Sequence, residues 1–507
     1  MSTVKEAAVH GCALVHELLD RAVTEHSDAP AVRDTEGGWT YAELDAAARA
    51  WTHRLVRSGV RPGDRVLVRI GNDRHFVALL FGTLRAGAVF VPLSTAMKRF
   101  HLERVVRDAE PALVLARGAD AVELRELTHA PVLDLTALQQ EVYADDGVAP
   151  PVAVCPDDLA LLMYTSGSTA TPKAVMSPHR AVVFAAAAIA DRLGYGPDDV
   201  VLNVIPFSFD YGLYQIFLAV GAGARLVLSG TDEHVGLMTV LHEARITVFP
   251  VVPSLAHMLL RLAARDRRPA PAVRLFTSTG AALAPQVVAK LRALFPGAAV
   301  APMYGTTECK RITVLAPGEV PPRPESVGRP LAGTQVLVVD EHGRPLPTGE
   351  TGEIVVRGPH VMAGYWRAPE PTRDRFRTDP ATGEVALHTG DFGYLDEHGH
   401  LYVSGRRDDL FKRKGVRMSA LEIEAAALDV PGVRAAAVLP PTPTADVVLF
   451  VAGEQAPAEV LRALGQRLEA AKVPHVCHVL PELPLTPNGK TDKKRLAELV
   501  GATTPAA

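Results

Sequence analysis

One short segment combines the residue types that bind a triphosphate. Residues 164–173 read Tyr-Thr-Ser-Gly-Ser-Thr-Ala-Thr-Pro-Lys and follow an apolar run at residues 159–163. Glycine and small hydroxyl residues leave backbone N–H groups free to meet an anion, and the lysine adds a positive charge. The spacing GxxxxGK[ST] of a Walker loop is absent. The segment therefore predicts a phosphate loop of another kind, although a Ser/Thr-rich surface loop has the same composition.

Three further motifs carry side chains suited to nucleotide chemistry. Residues 303–308, Met-Tyr-Gly-Thr-Thr-Glu, offer a ring that can stack on a base and a carboxylate that can ligate Mg²⁺. Asp391, and Arg406 beyond a predicted hairpin, are suited to a ribose diol. Lys490, on the turn Pro-Asn-Gly-Lys, is a mobile point charge. Each motif alone is equally typical of a solvated turn, so only their combination is informative.

These motifs occur together, in this order, in one group of enzymes. On them, and on residues 362–366 (Met-Ala-Gly-Tyr-Trp), the chain resembles the adenylate-forming superfamily: acyl- and aryl-CoA synthetases, luciferases and the adenylation domains of non-ribosomal peptide synthesis. The resemblance runs from about residue 15 to 498. Family members usually have glycine where this chain has Ala170 and Ala174. A methyl group is tolerated there if φ stays negative, and a non-catalytic ATP-binding or scaffold protein remains an alternative.

The resemblance implies roles for the matching residues. Tyr304 would stack on adenine, Thr307 would contact the α-phosphate, and Asp408 would be the hinge. The catalytic residues would be Lys490, Thr165, Lys173 and Glu308, with Glu308 as the Mg²⁺ ligand. The ATP-binding residues would be Thr165, Ser166, Gly167, Ser168, Thr169, Lys173, Gly280, Ala281, Ala282, Tyr304, Gly305, Thr306, Thr307, Asp391, Arg406 and Lys490.

Residues 206–212, Pro-Phe-Ser-Phe-Asp-Tyr-Gly, match the position of the family's substrate pocket. A buried Asp210 is costly without a cation, and in amino-acid-activating relatives an aspartate here binds the substrate amine. Asp210 can also cap a helix over residues 213–220, and the two roles are compatible. Lys310 and Arg311 are suited to a second carboxylate, or else form a solvated pair or a salt bridge. The predicted substrate-binding residues are Asp210, Phe207, Tyr211, Ser278, Thr279, Gly280, Lys310 and Arg311.

The implied reaction is ATP- and Mg²⁺-dependent adenylation of an amino acid. The aminoacyl group would then pass to the phosphopantetheine thiol of a separate carrier protein, or of coenzyme A, since the sequence ends soon after Lys490. The run Phe-Asp-Tyr-Gly-Leu-Tyr-Gln looks like stand-alone enzymes that load β-amino acids onto carrier proteins in polyketide and non-ribosomal peptide antibiotic pathways. We therefore favour a β-amino acid or an aspartate-like substrate. A prolyl-type carrier-protein ligase and an acyl- or aryl-CoA synthetase remain alternatives.

The surrounding sequence predicts the elements that position these residues. Short apolar runs alternate with amphipathic ones between residues 65 and 278, which predicts an α/β fold of βαβ units with parallel-rich sheets. Strand-like runs joined by glycine-containing turns predict a small β subdomain at about residues 326–404. We expect an N-terminal core at residues 1–404, a hinge at 405–409 and a small mobile α+β C-terminal domain at 410–507.

Composition excludes several classes of protein. The 507 residues are 48% apolar and 22% charged, which is globular composition and excludes wholesale disorder. A net charge of −4 argues against nucleic acid as a partner. The four cysteines form no CxxC pair, so neither a disulfide framework nor a zinc ribbon is indicated. The sequence shows neither a signal-peptide pattern nor an apolar membrane span, so we expect a cytoplasmic protein.

Overall fold

The computed structural model describes residues 11–145, 147–165, 173–229, 236–280, 283–379, 382–406, 410–413, 416–441, 446–468, 472–486 and 490–503. Its first elements are α1 Glu17–His26, β1 Pro30–Asp34, β2 Gly37–Thr40, α2 Tyr41–Arg57, β3 Arg65–Arg69, α3 Arg74–Arg85, β4 Val89–Pro92, α4 Arg99–Ala109, β5 Leu113–Ala116, α5 Gly118–Leu127, β6 Val132–Asp134, α6 Leu135–Ala144 and β7 Leu159–Thr165. There follow β8 Lys173–Pro178, α7 His179–Leu193, β9 Val200–Asn203, α8 Asp210–Gly221, β10 Arg225–Leu228, α9 Leu237–Glu243, β11 Val248–Val251, α10 Pro253–Ala263, β12 Leu275–Ser278, α11 Pro285–Leu294, β13 Ala299–Tyr304, β14 Thr313–Val314 and β15 Arg329–Pro330.

The remaining elements belong to the last third of the chain. They are β16 Gln335–Val339, β17 Gly352–Arg357, α12 Pro369–Arg375, β18 Phe376–Thr378, β19 Val385–Leu395, β20 Leu401–Arg406, β21 Leu410–Arg413, β22 Val416–Ser419, α13 Ala420–Leu428, β23 Ala435–Leu439, β24 Val448–Ala452, α14 Pro457–Gly465, β25 Val476–Leu480 and α15 Lys493–Thr503.

Two large sheets form the centre of the molecule. Within the described residues one has the order β6-β5-β3-β4-β7-β8 and the other the order β15-β14-β13-β12-β11-β9-β10-β1-β2. Most neighbouring strands are parallel, including β3 with β4 and β5, and β11 with β9 and β12. The central strands are apolar on both faces because helices cover both faces of each sheet, as is usual for parallel strands.

The helices form layers between and outside the two sheets. The largest cluster of buried side chains joins both sheets through α2, α3, α7 and α8. A second cluster packs α4 and α5 on the outer face of the first sheet. A third cluster packs α9, α10 and α11 on the outer face of the second sheet. The middle layer therefore fixes α8, whose N-terminus carries Asp210, against both sheets.

An antiparallel subdomain follows the two large sheets. β17 pairs with β16 and β19, while β18 and β20 also pair with β19. The predicted turns between β16 and β17, and between β19 and β20, are present because polar glycine-containing segments join these strands. This subdomain packs on the main body through buried residues that include Tyr304, Cys309 and Tyr365.

The C-terminal domain has a core of its own. It contains the strands β23, β24 and β25 and the helices α13, α14 and α15, with apolar residues buried on both faces of the strands. It contacts the main body where Gln286 Nε2 donates to Asp429 Oδ1 at 2.8 Å. The predicted α/β fold with a smaller C-terminal domain is confirmed. No helix among the described residues is long and apolar enough to span a bilayer.

Ala174 shows how the chain tolerates one departure from the family pattern. It lies in the extended strand β8, is buried in the second cluster, and is absent from the residues with positive φ. A side chain strains the backbone only in the left-handed region. The methyl group of Ala174 is therefore compatible with the strand. Ala170 lies outside the described residues.

Candidate active site

The carboxyl ends of neighbouring strands meet at one edge of the larger sheet. β12 ends at Ser278 beside the end of β13, and α8 begins at Asp210 after β9 ends. Ligands of open α/β sheets bind outside the carboxyl ends of the strands. Asp210, the residues that follow β12 and the motif at residues 303–308 therefore share one edge.

A buried ion pair lies at the start of α8. Asp210 and Arg311 are 5% and 4% exposed, and Arg311 Nη1 lies 3.3 Å from Asp210 Oδ2. The guanidinium carbon lies 4.8 Å from the centroid of the Tyr211 ring. The Tyr211 hydroxyl in turn shares a 2.7 Å hydrogen bond with Thr277 Oγ1. These contacts hold both charges in defined positions away from water.

Asp210 is not the N-cap of α8. Phe209 occupies that position without a side-chain cap hydrogen bond, and Asp210 is the first helical residue. The negative charge is favoured by the positive end of the helix dipole, but its hydrogen bond comes from Arg311. The carboxylate is thus oriented by a cation of this chain, whereas the sequence analysis expects the substrate amine as its partner.

Lys310 adds a second buried cation. It is fully buried, has a φ of 61°, and its Nζ donates to the carbonyl oxygen of Thr307 at 3.0 Å. Burial lowers the pKa of Lys310, while the nearby carboxylates of Asp210 and Glu308 act in the opposite direction. The alternative of a solvated Lys310–Arg311 pair is therefore wrong. Arg311 forms a salt bridge, and its partner is the carboxylate predicted to bind the substrate amine.

Gly305 makes the turn that carries these cations possible. A Cβ atom at this position would lie 1.6 Å from the carbonyl oxygen of Lys310 and 2.8 Å from Arg311 Cα. Real Cβ atoms do not approach other atoms so closely, so any side chain would displace the backbone of the turn. The left-handed φ of Lys310 and the close approach at Gly305 together bury residues 310 and 311.

We expect Gly305→Ala to disrupt this turn. The added methyl group overpacks a rigid backbone, which should lower the free energy of unfolding by roughly 3 kcal/mol and reduce adenylation further. Thermal unfolding and pyrophosphate exchange measure the two effects. Gly297→Ala is the matched control, because a Cβ there meets nothing within 4 Å. Wild-type stability and exchange in Gly305→Ala would contradict the close approach.

The described part of the nucleotide site centres on Tyr304 and Asp391. Tyr304 is buried, and its hydroxyl donates to Asp391 Oδ2 at 2.6 Å. Burial, with the adjacent Asp391 charge, raises the pKa of Tyr304. Asp391 is the register partner of Arg406 across β19 and β20. The structure thus brings together three residues that the resemblance assigns to adenosine; for Arg406 this concerns the backbone alone.

The predicted phosphate-loop lysine and the predicted metal ligand both lie close to one aromatic side chain, that of Tyr365. Lys173 Nζ is 5.6 Å from the centroid of the Tyr365 ring, and the Tyr365 hydroxyl donates to Glu308 Oε1 at 2.5 Å. Thr165 Oγ1 donates to the carbonyl oxygen of Lys173 at 3.3 Å, across the base of the loop. Thr165, Lys173 and Glu308 therefore occupy one region.

Lys490 reaches this site from the C-terminal domain. Its Nζ is 5.9 Å from the centroid of the Phe209 ring, and its Cε lies 3.5 Å from the position of a Cβ built on Gly280. Phe209 directly precedes Asp210, so Lys490 lies next to the predicted substrate and nucleotide residues. The structure is thus in a conformation in which the C-terminal domain brings its lysine to the main body.

Two predicted substrate residues, Phe207 and Ser278, have side chains that do not lie beside Asp210 and Tyr211. The Phe207 ring is fully buried in the core, 4.7 Å from the Phe76 ring. Ser278 follows Thr277 on β12, so its side chain is on the opposite face of the sheet from Tyr211. Thr279 is buried beyond the strand end. The ring closest to Gly280 and Lys490 is Phe209, which the sequence did not single out.

Tyr214 is a further residue that sequence reasoning missed. It lies one turn after Asp210 on α8, its ring is 5.5 Å from Lys310 Nζ, and its buried hydroxyl has no hydrogen-bond partner within the described chain. A buried hydroxyl without a partner is costly. Its spacing of four residues from Asp210 was the available signal, since such residues share a helix face.

Several predicted residues lie outside the described part of the chain. They are Ser166, Gly167, Ser168 and Thr169 of the phosphate loop, Ala281 and Ala282 beside Gly280, and Asp408 of the hinge.

The fold and this site define the class of adenylate-forming ligases. Residues 19–366 match the family model described as AMP-binding enzyme, and residues 422–490 match that of the AMP-binding enzyme C-terminal domain. The first match covers well over half of the sequence. The chain belongs to the AMP-binding enzyme family.

Curated relatives differ greatly in length. The chain is 33% identical to an L-proline–[L-prolyl-carrier protein] ligase of Streptomyces coelicolor, over 90% of this chain and 91% of that protein. The first relatives are much longer: 95–96% of this chain matches only 6–45% of each of them.

Solved structures show the same fold. VinN, whose crystal structure is known, is 46% identical in sequence to this chain, with a TM-score of 0.73. The match covers 77% of this chain and 98% of VinN. VinN has also been solved in complex with L-aspartate and with 3-methylaspartate. ATP-bound MatB from Rhodopseudomonas palustris is 29% identical with a TM-score of 0.86, over 96% of this chain and 98% of that one.

Proposed function

We propose that this protein adenylates an amino dicarboxylic acid of the aspartate type and transfers it to the phosphopantetheine thiol of a separate carrier protein. The observation that carries the substrate assignment is the buried Asp210–Arg311 pair with Lys310 behind it. One carboxylate and two cations are thus buried close together at the start of α8. A substrate that offers one ammonium and one carboxylate beyond its reacting carboxyl group complements these charges.

The distance within the ion pair indicates how such a substrate binds. Asp210 Oδ2 and Arg311 Nη1 are 3.3 Å apart, so both groups reach a ligand whose ammonium and carboxylate sit on one carbon. The ammonium would bind to Asp210 and the carboxylate to Arg311, with Lys310 close by. The side-chain carboxyl group of aspartate is then the one activated. Relative to that carboxyl group, aspartate is a β-amino acid, as the sequence analysis favours.

The proposed reaction has two steps. A substrate carboxylate oxygen attacks the α-phosphorus of ATP, and pyrophosphate leaves as the acyl-adenylate forms. A carrier thiol then attacks the acyl carbon, AMP leaves, and the thiol proton passes to solvent. Positioning and charge stabilisation account for catalysis of this kind. Lys490, whose Nζ lies 5.9 Å from the centroid of the Phe209 ring, would neutralise the charge that develops in the first step, and it would have to leave before the thiol enters.

Glu308 fits the role of Mg²⁺ ligand. Its partly exposed carboxylate accepts one hydrogen bond, from Tyr365 to Oε1, and Oε2 has no partner among the described residues. Among the described residues, no group of three or more His, Cys, Asp or Glu side chains is arranged to hold a metal ion. A single open carboxylate suits Mg²⁺, which is often held by one or two carboxylates and by substrate phosphates. When bound, the ion would neutralise charge on the triphosphate.

The names of relatives support this proposal. A ligase of similar length is named for a carrier-protein substrate, VinN has been solved with L-aspartate and 3-methylaspartate, and MatB with ATP. These names describe those proteins. For this chain they favour a carrier protein over coenzyme A as the thiol source and an amino acid over a fatty or aromatic acid. A cytoplasmic location stays a prediction.

Pyrophosphate exchange across matched acids tests the substrate assignment. We expect aspartate and 3-methylaspartate to exceed alanine, β-alanine, proline, succinate and benzoate by a factor on the order of 10⁴ in kcat/KM, because an absent charge leaves a buried group unpaired. Trapping the adenylate with hydroxylamine should give the β-hydroxamate of aspartate. Exchange with benzoate or a fatty acid alone would show an acyl- or aryl-CoA synthetase, and proline alone would show a prolyl ligase.

A further inference from the structure

Residues 362–366 form a strap across the site. Met362 N donates to the carbonyl oxygen of Glu308 at 2.9 Å, which ties the start of the strap to the residues after β13. Ala363 N donates to Met176 O, and Trp366 N donates to Ala174 O, both at 2.9 Å. The strap is therefore fixed by main-chain hydrogen bonds to both Glu308 and β8, the strand that begins with Lys173.

The Tyr365 side chain also contacts both Glu308 and the start of β8. Its hydroxyl donates to Glu308 Oε1 at 2.5 Å, and Lys173 Nζ is 5.6 Å from the centroid of its ring. The hydrogen bond to a carboxylate is charge-assisted, and a cation near an aromatic ring is attracted to its face. One side chain thus contacts both the predicted metal ligand and the predicted phosphate-loop cation.

The surroundings of Tyr365 hold its ring in one orientation. The residue is buried, and its ring meets the Phe376 ring edge to face at 5.5 Å. Its backbone N–H donates to Thr372 Oγ1 at 3.0 Å, at the first turns of α12. Gly364 has a φ of 107°, and a Cβ there would lie 2.5 Å from Thr372 Cγ2, so the strap closely approaches this helix. The hydroxyl position is therefore determined by packing.

We propose that Tyr365 is a positioning residue that holds the Glu308 carboxylate in its metal-binding orientation. The hydroxyl donates to Oε1 and restricts rotation of the carboxylate. Oε2, which has no partner among the described residues, would then be available to the metal. Hydrogen-bond partners of metal ligands commonly tune metal affinity in this way. The proposal rests on the proposed role of Glu308 as the Mg²⁺ ligand.

The test compares ATP binding with and without metal. For each variant the dissociation constant of ATP is measured by calorimetry in EDTA and at saturating Mg²⁺, and the ratio of the two reports the metal-dependent affinity. We expect Tyr365→Phe to reduce this ratio about tenfold or more and to leave binding in EDTA and the unfolding temperature close to wild type. If Tyr365 served only for packing, the substitution would instead change ATP binding in EDTA and the unfolding temperature.

Tyr402→Phe is the matched control. Tyr402 lies in the same subdomain, is buried, and donates its hydroxyl to a carboxylate oxygen of Asp396 at 3.1 Å, away from the site. Its loss removes an equivalent hydrogen bond without touching Glu308. We expect its metal-dependent ratio to equal that of the wild type. A tenfold fall there as well would overturn the specific role of Tyr365.

Glu308→Gln separates failure of this inference from failure of the proposed function. If both are right, Glu308→Gln also lowers the ratio, and the double variant with Tyr365→Phe shows no further loss, since the tyrosine acts through the carboxylate. If only Glu308→Gln lowers it, Tyr365 has no positioning role. If neither does, Glu308 is not the metal ligand and both proposals fall. Additive losses would show that Tyr365 acts independently of Glu308.

Discussion

Lys490→Ala is expected to lower the rate of aminoacyl-adenylate formation by a factor of about 10² to 10³, the range found when a preorganised donor to a developing charge is removed. Lys490 Nζ lies 5.9 Å from the centroid of Phe209, and its Cε lies next to Gly280. It therefore lies next to residues predicted to bind the substrate and the nucleotide. Pyrophosphate exchange measures the rate, and calorimetry should show nearly unchanged ATP affinity.

Lys494→Ala controls for the loss of a C-terminal lysine. Lys494 is exposed on α15, four residues beyond Lys490. Its removal should leave exchange at the wild-type rate. Transfer of the aminoacyl group from chemically supplied aminoacyl-AMP gives a second control, because Lys490 has to leave the site before the thiol enters. Wild-type exchange in Lys490→Ala would refute its proposed role, and equal losses of both half-reactions would indicate that it organises the site generally.

Asp210→Asn is expected to abolish activation of amine-bearing substrates selectively. The side chain keeps its size but loses the charge that would pair with the ammonium, so kcat/KM for aspartate should fall by a factor on the order of 10³ or more. Residual exchange with succinate, which lacks the amine, should fall less. The variant also leaves Arg311 and Lys310 buried without their carboxylate, which costs about 3–5 kcal/mol of folding free energy.

Two further variants separate recognition from stability. The buried Asp199 forms an ion pair with the partly exposed Arg274, at 2.5 Å, in a part of the fold away from Asp210. Asp199→Asn should destabilise the fold and leave the ratio of aspartate to succinate unchanged. The double variant Asp210→Leu with Arg311→Met should regain stability, because matched apolar groups can replace a buried ion pair. It should not regain activation of aspartate. An unchanged substrate ratio in Asp210→Asn would refute the amine-binding role.

Local sequence determined much of the architecture. Apolar runs such as Arg65–Arg69 and Leu275–Ser278 are strands, and the amphipathic run between β3 and β4 is the helix Arg74–Arg85. Alternating elements of these lengths can bury both faces only in parallel-rich sheets covered by helices. The β subdomain after residue 326 could also be predicted, because its turn residues favour antiparallel strand pairs. These patterns leave the ends of helices and strands uncertain by one or two residues, because capping and packing compete there.

Motif order predicted a nucleotide site but not its detailed contacts. Lys173, Glu308, Asp391 and Lys490 carry recognisable chemistry in sequence, and the described residues bring them to one edge of the fold. The contact of Tyr365 with Glu308 could not be predicted, because a lone tyrosine in an apolar segment usually packs in a core. Only the path of residues 362–366 across β8 decides that the Tyr365 hydroxyl meets Glu308, 57 residues away.

Amino-acid types alone determined that this chain forms layered α/β sheets and carries the groups of an adenylate-forming enzyme. Tertiary structure decided which charges face each other: Asp210 and Arg311 are 101 residues apart, yet they form a buried pair. That pairing depends on strand register and on the turn at Gly305 and Lys310, neither of which is encoded in a local pattern. Sequence spacing left Arg311 free to be solvated or buried, and the close packing of that turn permits only the buried arrangement.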